Sequence, residues 1–180
     1  MLREIFGAAA TRSFTGPTIT ADNLQTFDWS EFSIGHFAMH ATLNQRYAEL
    51  TGLSLGNDAH SGAPKMLWYG DVCRLHAKLD LVVLSACNTA LGESVPGEGL
   101  MGLSQAFFAA GAQRVLGTLW EVDDQATSEW MRHYYLALRE THSPTWAMRK
   151  AQQAMAADAR WSAPYYWAGF VLAGDWRPLP

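Results

Sequence analysis

Residues 79–92, read as Leu-Asp-Leu-Val-Val-Leu-Ser-Ala-Cys-Asn-Thr-Ala-Leu-Gly, constrain this chain most. The run is apolar and partly β-branched, it halts at a cysteine, and small residues and glycine take over. Apolar side chains on both faces of a short run suit a strand buried in the middle of a parallel sheet. Such sheets hold their working groups just outside the carboxyl ends of their strands. Cys87 stands at that edge.

The totals narrow the surroundings of this thiol. A chain of 180 residues is most simply one domain, residues 1–180, since domains commonly run ~100–200 residues. Hydrophobic content of 49% and charged content of 17% describe a folded globular chain. The net charge of −4 is too mild and too scattered to suggest nucleic acid as a partner. No apolar run approaches the ~20 residues of a membrane span, so no membrane partner is expected. Two cysteines without close spacing fit a reduced, cytoplasmic protein, and Cys73 to Cys87 is not a zinc spacing. Eight tryptophans and eight phenylalanines imply a bulky core, or apolar surface that another domain covers.

Along the chain, residues 1–12 read as the end of a helix and 15–28 as a polar loop. Residues 32–40 (FSIGHFAMH) form a second apolar strand, again ending at a reactive residue, His40. Residues 41–64 hold several glycines around short apolar pieces and read as a long excursion, followed by a short strand over 65–69 and a helical turn over 71–76. Residues 92–99 are a loop, and 100–110 are small and apolar enough for a buried helix closed by Gly111. A third strand covers 114–120. Asp123 or Asp124 then caps a helix over 125–140, where Ala126, Trp130, Tyr134 and Leu138 recur at helical spacing. Ser143-Pro144 opens a helix to about residue 156, and 166–173 is a fourth strand. Strands alternating with helices predict an α/β layered fold with a mostly parallel central sheet flanked by helices.

If the strands ending at His40 and Cys87 are parallel neighbours, both side chains project from one edge of the sheet. An unperturbed thiol, with a pKa of ~8.5, is a weak nucleophile near neutrality, and an adjacent imidazole takes its proton or stabilises the thiolate. The amides of Ala41 and Cys87 are the natural donors to an oxyanion. Glu121, Asp123 and Asp124 follow the third strand at the same edge and suit a pocket for a basic side chain. Plainer readings stand beside these. Free cysteine is most often a small buried hydrophobe. Asp123 or Asp124 is a helix cap, Cys73 is structural, and His36 is a core histidine beneath the site. His36 and His40 are four apart, yet they sit on a strand with no third ligand, so no metal is expected.

The sequence resembles the CHAT domain, a caspase-like cysteine peptidase module often found with tetratricopeptide repeats. The resemblance is carried by Gly35-His36-Phe37-Ala38-Met39-His40-Ala41, similar to that family's HFATH[GA] block, and by Leu84-Ser85-Ala86-Cys87-Asn88-Thr89-Ala90-Leu91-Gly92. Gly97-Glu98-Gly99-Leu100, Gln105-Ala106-Phe107, and the segment from Ala110-Gly111-Ala112 through Leu119-Trp120-Glu121-Val122-Asp123-Asp124 extend it over about residues 30–175. It implies a caspase-like fold, with His40 as the catalytic histidine and Cys87 as the nucleophile. Their 47-residue separation is near the ~50 of caspases. The implied activity is peptide-bond hydrolysis without metal or cofactor, on a peptide or protein substrate, with a tetratricopeptide-repeat or other regulatory partner in cis or in trans. Met39 stands where the family usually has threonine. The family also places a strand and a helix before the segment matching residues 5–12, so the N-terminal part of the fold is expected to lie outside this sequence. The alternatives are a catalytically silent interaction or regulatory module, and an acyl-transferring or ester-cleaving enzyme on the same frame.

Overall fold

A computed structural model describes residues 1–16, 19–44, 46–58, 60–85 and 98–180. They form two units, Met1–Ser13 with Val122–Pro180, and Phe14–Glu121. The first opens with helix α1 (Leu2–Phe6), which buries Ile5.

In the unit Phe14–Glu121, α2 (Ala21–Thr26) forms where a polar loop is predicted. The Thr20 hydroxyl accepts the Asn23 amide at 3.1 Å, and Leu24 turns inward. Asp22-Asn23 suits a turn, and once threonine supplies the cap it equally suits a first helical turn. Strand β1 (Ile34–Phe37) is shorter than the predicted run over 32–40. The excursion expected over 41–64 holds β2 (Ala41–Thr42) and β3 (Gly52–Asn57), which join β4 (Pro64–Trp68), the short strand expected over 65–69, in a second, antiparallel sheet. Helix α3 (Tyr69–Cys73) follows β4 directly.

Strand β5 (Leu81–Leu84) is buried at all four positions, as a run apolar on both faces requires. It lies between β1 and β6 (Arg114–Thr118), parallel to both. Helix α4 (Glu98–Ala109) comes between β5 and β6 in the chain and packs on β6 and α3. Gly111 then turns the chain with φ +104, a value that favours glycine, as a helix-closing residue should. Arg114 is 1% exposed, and its guanidinium donates to the Asp80 carbonyl at 2.7 Å. The core gathers Leu79, Val82, Leu84, Leu103 and Phe107, with the Phe37 and Phe107 rings 4.8 Å apart.

In the other unit, α5 (Asp124–Thr141) and α6 (Pro144–Ala157) pack as a helical pair. The Asp123 carboxylate accepts the amides of Gln125 and Ala126 at 2.9 and 3.0 Å, and the Ser143 hydroxyl accepts that of Trp146 at 3.3 Å. Ala126, Trp130, Tyr134 and Leu138 are all buried, the face their spacing predicts. Trp130 stacks on Phe170 at 3.8 Å and 5°. Phe170 begins β7 (Phe170–Gly174), which starts later than predicted because Pro164–Tyr166 forms a 3-10 turn first. Arg139 Nη1 donates to the Ile5 carbonyl at 2.7 Å and ties α1 to α5.

Two glycines carry close approaches of different kinds. A Cβ on Gly35 would lie 2.7 Å from the Leu79 Cδ1 methyl, whereas one on Gly52 would lie 2.8 Å from the Leu67 carbonyl oxygen. A methyl can rotate aside and a paired carbonyl cannot. Gly52→Ala is therefore expected to lose roughly 1–3 kcal/mol and Gly35→Ala less, measured by urea unfolding.

His36 sits half-buried in β1 opposite Val83, and burial pushes its imidazole from 6.5 down to about 4. Between these values the unfolded chain binds the proton and the folded chain does not. Stability is therefore fully present above about pH 6.5 and falls as pH drops toward 4, by roughly 3 kcal/mol for this group. Replacing His36 by Gln should remove that part of the acid-side slope in unfolding midpoints taken from pH 7 to pH 4.

Candidate active site

The parallel ladder of β1 and β5 sets the edge at which the two reactive residues are sought. Its register runs from Ile34 opposite Leu81 to Phe37 opposite Leu84. The Ser85 amide donates to the Phe37 carbonyl at 3.0 Å, so pairing extends one residue beyond β5. Both strands therefore end level at their carboxyl ends. His40 follows the last residue of β1 by three positions, and Cys87 follows the last residue of β5 by three. Cys87 itself lies outside the described residues.

His40 is exposed, and its backbone is fastened. Its carbonyl accepts the Ser54 amide of β3 at 2.8 Å, continuing the pairing of Ala41 with Leu53 and Thr42 with Gly52. Successive strand residues face opposite sides, and burial follows that rule closely. Ala41, Leu53 and Leu67 are 2%, 0% and 0% exposed, so this row faces the core. Met39, two residues before Ala41, packs against the same core. The alternate positions form the opposite face: His40, Ser54 and Met66 in one row, Thr42, Gly52 and Trp68 in the next. Prediction from the sequence missed this second row of neighbours. Its signal was present in Gly52-Leu53-Ser54-Leu55 and Met66-Leu67-Trp68, whose leucines alternate with other residues.

Ala41 is buried in β2 opposite Leu53. Glu121, Asp123 and Asp124 are all exposed. Asp123 is the cap of α5, as one of the two plainer readings has it, and Asp124 is the first residue of that helix. Cys73 closes α3 as a free, half-buried thiol packed on the core. Burial, and secondarily the neighbouring Cys73, raises the pKa of the Tyr69 hydroxyl. Among the described residues no group of three His, Cys, Asp or Glu side chains is arranged to hold a metal ion, and no helix is long and apolar enough to cross a membrane. An exposed imidazole at the edge of a rigid sheet can take and return a proton.

Comparison with known proteins agrees with this frame. The chain is 35% identical over 110 residues to tetratricopeptide repeat protein 28 of Mus musculus and 33% identical over 110 residues to that of Homo sapiens. Each match covers 61% of this chain and 4% of the relative, so the chain spans a small fraction of the length of these proteins. The family model of the CHAT domain matches residues 1–175. With its mixed α/β architecture and mostly parallel sheet, the chain belongs to the CHAT domain family.

Proposed function

We propose that this chain is a caspase-like cysteine endopeptidase working through Cys87 and His40. The supporting observation is the level, in-register ending of β1 and β5, with each of the two residues three positions beyond its strand in the sequence. In this reading the Cys87 thiol gives its proton to His40 as sulfur attacks the scissile carbonyl carbon. Amides at the two strand exits, those of Ala41 and Cys87, stabilise the developing oxyanion. The C–N bond breaks as His40 returns the proton to the leaving amine. A water molecule, deprotonated by His40, then hydrolyses the thioester and restores the thiol. Neither metal nor cofactor enters these steps. Glu121, in the same unit as His40, is the carboxylate assigned to a basic substrate side chain. The relatives' name, tetratricopeptide repeat protein 28, supports a tetratricopeptide-repeat partner, in the same polypeptide or a separate one, as the regulator.

Cleavage of a peptide library by the wild-type chain should vanish in Cys87→Ala, and His40→Gln should lower kcat/KM by about 10²–10⁴-fold. A Cys87→Ala chain that cleaves at the wild-type rate would reject the proposal. Iodoacetamide near neutral pH gives an independent measure, because an activated thiolate reacts faster than a half-buried structural thiol. Mass spectrometry should show Cys87 labelled well ahead of Cys73. Equal, slow labelling of both would favour a catalytically silent interaction module.

A further inference from the structure

The face of the antiparallel sheet that carries His40 has a second property. Beside His40 its two rows hold Ser54, Met66, Thr42, Gly52 and Trp68, and none of these five is charged. Trp68 is 39% exposed although it is a large apolar side chain. Its indole lies over Gly52: a Cβ on that glycine would stand 3.0 Å from the indole Cε3. The indole is thus laid along the sheet toward β2, the strand that begins where His40 ends. The two rows of this face, uncharged beside His40 and with the Trp68 indole on them, are suited to cover by an apolar side chain, which desolvates them at little electrostatic cost.

We infer that this face is a substrate subsite, in which the Trp68 indole receives an apolar side chain of the peptide on the leaving-amine side of the scissile bond. The inference rests on the peptidase reading for that side. In that reading His40 protonates the leaving amine, so the part of the substrate carrying that amine passes over the strands that continue from His40. Trp68 is a specificity residue here and touches no reacting atom.

Two measurements separate this subsite from the peptidase reading. In the Cys87→Ala chain, which requires no turnover, a capped peptide Gly-Gly-Leu-Leu-Gly-Gly should shift the Trp68 indole N–H resonance and the His40 ring signals in NMR spectra. The all-glycine hexamer should not. Trp68→Ala should weaken binding of the leucine peptide by about 10-fold, as loss of part of one buried apolar contact predicts. Trp176→Ala, at a tryptophan 72% exposed in the other unit, should leave it unchanged. Equal affinity in Trp68→Ala, or no shift at the Trp68 indole, overturns the subsite. In the wild-type chain, Trp68→Ala should lower cleavage of library peptides with apolar residues after the cut and leave the preference before the cut intact. A change confined to residues before the cut also overturns it. Leucine-peptide binding without any cleavage by the wild type would leave the docking face standing and sink the peptidase reading alone.

Discussion

The pairing of β1 with β5 is the constraint on which the rest of the site depends. All four residues of β5 are buried, and in β1 Gly35 and Phe37 are buried while Ile34 and His36 are half-buried. A slip of one residue would exchange the faces of β1 and bring the wrong side chains against the core. Phe37 would leave Phe107, to which its ring is packed. Gly35 would leave the Leu79 methyl that fills the space of its missing side chain. Burial therefore sets the level at which both strands end. The segment that follows β1 and carries His40 leaves from that edge, as reactive groups on loops are positioned by a sheet.

Elements whose signals are local were legible in the sequence. Asp123, Ser143-Pro144 and the four-residue spacing from Ala126 to Leu138 marked α5 and α6, because caps and an apolar stripe act within a few residues. The four-residue apolar core of β5 was equally plain, and with it the edge at which Cys87 is sought. Of the sheet β2–β3–β4 only β4 was legible, as the short strand expected over 65–69. Strands β2 and β3 are short, Gly52 and Gly56 weaken the local signal of β3, and the pairing shows only once Leu53 and Leu67 meet across the ladder. Pairing at that range is a tertiary effect, and propensity is silent about it. The same lack hid that Trp68 shares a sheet face with His40, since nothing local to residue 68 points to residue 40. Helix α2 was hidden for the opposite reason: Thr20, Asp22 and Asn23 favour turns and helix caps alike, and Leu24 must find the core to decide between them.

The alternation through residues 39–42 explains why methionine is tolerated just before His40. Met39 and Ala41 are on the inward side, and Met39 packs on the core, while His40 is exposed on the other side. A change at position 39 is thus a change of packing volume, and methionine is unbranched enough to fill an irregular space. The direction of the imidazole is set elsewhere, by the Ser54 amide on the His40 carbonyl and by the pairing of Ala41 with Leu53. Those contacts are made by backbone and do not depend on which side chain precedes the histidine. Threonine at position 39 would place a hydroxyl on the inward side, where it would need a hydrogen-bond partner. Methionine needs none. Methionine in place of the threonine that the resemblance implies therefore changes the half-buried inner side beneath His40, and the outward face that carries the imidazole is left to the backbone pairing.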